Sequence, residues 1–391
     1  VNKLAMLWHY FRVRRMRFRS REALARHQQQ QLRRFASRVL AKSPWFLRYS
    51  TLPFSEWPTM DKALMMTHFD EMNTAGLKAD AVMACALQSE NDRNFAPTVG
   101  RYSVGLSSGT SGRRGIFAVS PEEQSLWAGA MLAKMLPDGL FAGERVALFL
   151  RADNNLYQSV NSRWLSLAFY DLFEPFDTLL TRLEADAPSI IVAPAQVLRA
   201  LALAVQSGEL NVAPKKVISV AEVLDPQDRA LLAQVFPAVG EVYQATEGFL
   251  AATCSHGVLH LNEAFIVVEK AWLDDRRFIP VITDFTRTTQ PIVRYRLDDI
   301  LVARDAPCPC GDPSQALAHN RRASGRPAAA AGRAGRPARY LRRSLQPGVG
   351  ARAAPDGGFP AYPARRSAPQ SYCRGGRRAA GGGADGPDGA V

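Results

Sequence analysis

Three stretches of the 391-residue chain carry side chains suited to a phosphorylated ligand. Ser107, Ser108, Gly109, Thr110, Ser111 and Gly112 follow one another directly, with Arg113, Arg114 and Gly115 after them. Small residues let a backbone approach a polyphosphate closely. Their N–H groups and hydroxyls can form an anion nest, and nearby guanidinium groups add charge-assisted bonds. The run is neither a Walker loop nor a dinucleotide fingerprint, because it lacks the residue order of both. The second stretch is Tyr243-Gln-Ala-Thr-Glu-Gly248. There Glu247 can hold Mg²⁺ against a triphosphate, and the Thr246 hydroxyl can reach a phosphate. The third runs from Thr283 to Asp299 and ends in the pair Asp298-Asp299, where a carboxylate can accept both hydroxyls of a ribose. Taken alone, each also fits an ordinary turn.

A separate set has the residue types of a metal site. Cys254, His256 and His260 form Cys-x-His-x3-His, and Cys308 and Cys310 follow about fifty residues later. Any four of these can surround a zinc ion tetrahedrally, and free thiols beside unrelated surface histidines fit the same spacing.

The elements that must position these residues fall into three regions. Residues 1–50 hold 13 Lys/Arg and one acid, Glu22. This region is expected to be a basic helical extension. Leu4, Leu7, Trp8 and Phe11 recur at helical spacing, and a second helix capped by Ser20 carries Leu24, Leu32, Phe35 and Val39. Its arginines suit an acidic partner such as a membrane, a nucleic acid or a carrier protein. The simpler reading is a solvated face of helices packed on the core. Residues 51–318 alternate short apolar runs with longer helical stretches. Strands are expected at 146–150, 190–193, 217–220 and 239–243, and helices near 121–136, 157–172, 195–207 and 225–235. This alternation predicts an α/β fold with mostly parallel sheets flanked by helices. Residues 319–391 contain 17 Ala, 14 Gly, 14 Arg and 8 Pro among 73 residues, and no Lys. Such a segment cannot build a core. It reads either as a disordered basic tail or as GC-rich DNA translated out of frame, and only a genuine tail would bring RNA in as a partner.

The net charge of +13 therefore hides a middle region of about −10 between two basic ends, which does not fit an evenly basic nucleic-acid binder. No apolar run is long enough to span a membrane, no secretory signal opens the chain, and five cysteines make no disulfide framework; these point to the cytoplasm.

Taken together, Ser107–Gly112, Tyr243–Gly248 and Arg294–Asp299 resemble, in order and spacing, the phosphate loop, Mg²⁺/adenine motif and ribose motif of the adenylate-forming (acyl-CoA synthetase-like) superfamily. Within it the chain resembles the phenylacetate–CoA ligase branch, and most closely the coenzyme F390 synthetase-related proteins. Further matches are Ser20–Leu24, Met60-Asp-Lys62, Asn73-Thr74, Ser219–Leu224 and Cys308–Gly311. The resemblance spans roughly residues 1–318 and implies the large N-terminal domain of such an enzyme. It implies that Ser107 to Gly112 hold the ATP phosphates, Ala221 and Glu222 flank the adenine with Tyr243 stacked near it, and Thr246 touches the α-phosphate. It further implies that Glu247 binds Mg²⁺, Asp299 holds the ribose, and Cys254, His260, Cys308 and Cys310 are a structural zinc set. The implied reaction is adenylation of a carboxylic acid, aromatic acids included, followed by transfer to CoA or an acyl carrier protein. AMP transfer to a phenolic cofactor hydroxyl is the F390-type alternative.

Two departures matter. Arginines stand where many members of the superfamily have a lysine near the end of the phosphate loop. After Ala318, the hinge and small lid domain with its catalytic lysine are missing or scrambled. A chain that is native as written is expected to bind ATP and to adenylate slowly or not at all, as a catalytically silent nucleotide-binding protein.

Overall fold

The structure is a computed structural model that describes residues 2–92, 97–107, 114–150, 161 and 163–322. Candidate loop residues Ser108, Gly109, Thr110, Ser111 and Gly112, and residues 323–391, lie outside the described residues.

The first two helices of the N-terminal region each begin at a residue whose side chain satisfies their first amides. Asn2 accepts from Leu4 and Ala5 to start α1 (Lys3–Arg15), and Ser20 accepts from Ala23 to start α2 (Arg21–Arg38). Short helices α3 (Pro44–Leu47), α4 (Lys62–Thr67) and α5 (Phe69–Met72) follow, then α6 (Ala79–Asn91). Helix α7 (Pro121–Met135) opens with a capping box between Ser120 and Glu123 and a proline in its first turn.

Helix α1 lies along α7. Gly129 makes the approach possible, since a Cβ there would stand 2.5 Å from the Met6 carbonyl oxygen. The face that α1 buries is Met6, Tyr10 and Val13. Of the stripe expected from sequence, Leu7 is partly buried against the same core, whereas Leu4, Trp8 and Phe11 are exposed. Both stripes have helical periodicity, and packing against a glycine favours the one that lets the backbones touch.

A three-stranded antiparallel sheet, β1 (Thr98–Val99), β2 (Tyr102–Leu106) and β3 (Ile116–Val119), follows. Among the described residues the main sheet has 12 strands. One half is parallel, in the order β5-β4-β6-β7-β8: β4 (Glu144–Leu150), β5 (Leu165–Asp171), β6 (Ile190–Ala193), β7 (Lys216–Ser219) and β8 (Val239–Ala245). The other half is antiparallel and continues from β8 through β9 (Gly248–Thr253), β10 (Leu259–Leu261), β15 (Ala316–Arg322), β14 (Asp299–Ala303), β12 (Arg277–Asp284) and β11 (Ile266–Trp272), with β13 (Ile292–Arg296) also on β12. Strand β15 carries the sheet four residues beyond Ala318.

The parallel strands are apolar on both faces, as a sheet covered on both sides requires. Ala147, Phe149, Ile191, Ala193 and Val217 pack with Leu179 and Leu183 of α8 (Phe176–Asp186), Leu198 and Leu201 of α9 (Ala195–Ser207) and Leu232 of α10 (Pro226–Val235). Val146, Leu148, Ile190, Val192 and Ile218 belong to the core that includes Met6 and Tyr10 of α1 and Met131 and Leu132 of α7. Residues 1–50 therefore form one layer of the main core.

The four expected strands form, as do the helices near 121–136, 195–207 and 225–235. The helix expected at 157–172 is overturned over its second half, where Leu165–Asp171 is strand β5, parallel to β4; residues 157–160 and 162 lie outside the described residues. Leu-Ser-Leu-Ala-Phe-Tyr alternates as readily as it spirals, and a free strand edge on β4 decides between the two periods.

Candidate functional site

Four residues of the site come from the ends of adjacent parallel strands, where open α/β sheets hold their ligands. Beyond β7, Glu222 N–H donates to the Val220 carbonyl at 2.7 Å, closing a γ-turn over Ala221. Ala221 sits at φ +64°, a left-handed conformation that a residue with a Cβ adopts at a cost. The turn points Glu222 at the start of α9, where its carboxylate accepts from the Gln196 N–H at 3.1 Å. Ala221, Glu222, Val223 and Tyr243 line one pocket with Glu241, Val242, Gln244 and Leu259.

The hydroxyl of the buried Tyr243 donates to Asp299 Oδ2 at 2.6 Å. This bond joins β8 to the start of β14, two segments 56 residues apart in sequence. Strand β8 then turns tightly through Thr246 and Glu247 into β9, with Ala245 paired to Gly248. Gly248 leaves room for the Asp284 carboxyl there, since a Cβ would stand 2.6 Å from Asp284 Oδ2.

The turn is held from beneath by residues of the 283–299 segment. Arg287 Nη1 donates to the Thr246 carbonyl at 2.8 Å. Burial strongly raises the pKa of the Tyr295 phenol, and the Glu247 carboxylate beside it raises it further, so the phenol keeps its proton. Asp284 is buried, accepts from Thr286 N–H and Oγ1, and has its carboxyl pushed up to about 6 by loss of solvent. Glu123 of α7 accepts from the Thr288 and Thr289 amides, anchoring the same loop.

Ser107 closes the neck of the β2–β3 connection. Its N–H donates to the Gly115 carbonyl and its hydroxyl accepts from the Gly115 N–H, both at 2.8 Å. Lys62 lies against this neck, with its stem 3.6 Å from where a Gly115 Cβ would be. Met60 bridges to Tyr295 of β13, which places the Met60-Asp-Lys62 segment between loop neck and turn. Ser107, the Tyr243–Glu247 segment and Asp299, far apart in the chain, are thus linked through neighbouring contacts.

Sequence reasoning passed over Arg287. It is buried, and its Nε and Nη2 have no hydrogen-bond partner among the described residues. A guanidinium in this state is short of acceptors, which an anionic ligand supplies. The sequence signal was present: one arginine in the otherwise small and polar run Thr286-Arg-Thr-Thr-Gln290.

The cysteine set also comes together. Ligand atoms of Cys254, His260, Cys308 and Cys310 all lie within 4.8 Å of one another. Cys254 Sγ is 3.7 Å from Cys308 Sγ, and Cys310 Sγ is 3.4 Å from His260 Nε2. Tetrahedral zinc with bonds of about 2.3 Å to sulfur separates two sulfurs by about 3.8 Å. His260 Nδ1 lies 3.2 Å from the Ser314 carbonyl, the contact that leaves Nε2 available to a metal. His256 is exposed and outside the cluster. The residues present fit zinc.

No family model matches the sequence, and no curated protein matches it. Solved structures do match by shape. An open conformation of 2-hydroxyisobutyryl-CoA ligase, in complex with 2-HIB-AMP and CoA, superposes with a TM-score of 0.57 at 15% identity, over 76% of this chain and 68% of that one. The same ligase in the thioesterification state, also with 2-HIB-AMP and CoA, gives 0.56 at 18% identity over 75% and 65%. Its postadenylation state with 2-HIB-AMP gives 0.55 at 15% identity over 76% and 66%. The chain thus has the α/β fold of an adenylate-forming CoA ligase and spans about two-thirds of that ligase's length. No helix among the described residues is long and apolar enough to cross a membrane.

Proposed function

We propose that this chain binds ATP and activates a carboxylic acid as its adenylate. The carrying observation is that Tyr243, which lines one pocket with Ala221 and Glu222, is also hydrogen-bonded to Asp299, so that three separated sequence motifs are linked through one side chain. In this reading the adenine lies against Ala221, Glu222 and Tyr243, and Asp299 accepts the ribose hydroxyls. Ser107 to Gly112 and Arg287 receive the phosphates. Thr246 contacts the α-phosphate. Glu247 would hold Mg²⁺, a hard ion suited to its carboxylate oxygens, which would neutralise charge on the triphosphate.

Adenylation needs no protein nucleophile. A carboxylate oxygen of the substrate attacks the α-phosphorus, the bond to the bridging oxygen breaks, and pyrophosphate leaves with the electron pair. A thiol of CoA or a carrier protein then attacks the acyl carbon and AMP leaves. The chain's part is to position the reactants and oppose the developing charge. Cys254, His260, Cys308 and Cys310 would hold a structural zinc away from this chemistry.

Equilibrium binding of ATP tests the first step. Micromolar binding that Asp299→Ala weakens at least about tenfold is expected from loss of a charge-assisted pair of hydrogen bonds. Failure of the native chain to bind ATP would overturn the proposal. Pyrophosphate release with a panel of carboxylic acids tests the second step. Release at the background rate, with ATP bound, selects the silent nucleotide-binding reading suggested by the lysine-free sequence after Ala318.

A further inference from the structure

Helix α1 is apolar on two opposite sides. Met6, Tyr10 and Val13 are buried against the body of the protein, while Leu4, Trp8 and Phe11 are exposed, Trp8 at 59% and Leu4 at 78%. A helix with two apolar faces is suited to two apolar surroundings, and the core is only one.

The outer face continues onto the rest of the molecule. Phe11 stacks at 6.2 Å on Phe141, and Phe141 meets the edge of Trp164 at 6.2 Å. Phe141 is 57% exposed and Trp164 40%. Cations accompany these rings: Arg12 lies 5.2 Å from the Trp8 ring, Arg15 6.0 Å from Phe11, and Arg163 4.4 Å from Trp164. Residues 1–21 contain seven Lys/Arg and no acid. Asp138, the carboxylate three residues from Phe141, is ion-paired to Lys215 at 2.9 Å.

We propose that this strip docks the protein on an anionic lipid surface, with α1 lying in the interface plane. Three observations favour lipid over a folded partner. The exposed residues are large aromatics and leucine, which partition into the headgroup boundary. Arginines flank them and can snorkel to the phosphates. The positive charge is spread along α1 and beyond it rather than set in a pocket. The inference is independent of what the nucleotide site does.

The test is co-flotation of the full chain with vesicles of phosphatidylcholine containing phosphatidylserine, against phosphatidylcholine alone. Binding to the anionic vesicles only is expected. It should weaken at least about tenfold in Arg12→Glu/Arg15→Glu and at high salt. Trp8→Ser/Phe141→Ser should lose binding while keeping the thermal melting point, because these side chains contribute little to the core. A blue shift of tryptophan emission on anionic vesicles, smaller in Trp8→Phe than in the native chain, would place Trp8 in lipid. Equal binding to both vesicle types would overturn the proposal. So would failure to bind either, or a dimer in solution that Trp8→Ser/Phe141→Ser converts to monomer.

Discussion

Arg287 illustrates how a single residue can trade stability for binding. Its guanidinium is buried with only Nη1 bonded, to Thr246. A buried charge short of partners destabilises the empty protein, whereas bonds to an anion contribute about 1.5–3 kcal/mol each. Arg287→Met is therefore expected to raise the melting temperature of the ATP-free chain and to weaken ATP at least about tenfold. Calorimetry with and without ATP reads both signs, and a fall in both would mean the residue is only structural. Asp284 is expected to act on stability through pH. Its folded pKa of about 6 lies above the unfolded value near 3.9, so the native state holds the proton more tightly. Its contribution is full below about pH 4 and is lost as pH rises through 6, a swing of about 3 kcal/mol. Asp284→Asn keeps an acceptor for Thr286 and removes the titration. Denaturant melts should show the variant gaining on the native chain between pH 4 and pH 8. A constant difference across that range would contradict the assignment.

At the scale of elements, the glycine between α1 and α7 is the most exacting contact. A Cβ on Gly129 would meet Met6 O at 2.5 Å and Tyr10 N at 2.9 Å, both backbone atoms that cannot turn aside. Gly129→Ala should push α1 outward and cost about 1–3 kcal/mol, although alanine is the better helix former. Urea unfolding measures it, and a stabilised variant would mean that α1 is not held to α7 in this way. The same contact explains what the sequence concealed. Leu4-Trp8-Phe11 and Met6-Tyr10-Val13 are both helical stripes, and a residue on α7, over a hundred positions away, selects between them. Strands at 146–150 and 190–193 were legible because they are buried on both faces and read as unbroken apolar runs, and 217–220 because only Ser219 interrupts one. Leu165–Asp171 was not, because its pattern serves two periods. Ser20 advertises its cap locally. The left-handed Ala221 does not, since only the turn it makes toward α9 accounts for it.

For the whole molecule, the resemblance implied that Tyr243 and Asp299 face one nucleotide, while the hydrogen bond between them was not legible. Tyr243 and Asp299 carry no sequence sign that one bonds the other, because the pairing depends on β14 returning through the antiparallel half of the sheet. That half is where the cysteine cluster lies. Cys254 follows β9, His260 is in β10, and Cys308 and Cys310 stand between β14 and β15, so an ion at their centre would join segments more than 50 residues apart. Such an ion binds the folded chain and not the unfolded one. At a free concentration a hundredfold above its dissociation constant it stabilises by about 2.7 kcal/mol. The purified chain should therefore carry one zinc per molecule by elemental analysis, and a strong chelator should lower its melting temperature. Cys308→Ser and His260→Ala should lose the metal and melt near the chelated protein, because three ligands hold zinc poorly in a structural site. His256→Ala, remote from the cluster despite its place in the Cys-x-His-x3-His spacing, should keep both zinc and stability. Loss of zinc in that variant alone would show that the ligand set is drawn from the sequence pattern and not from the geometry.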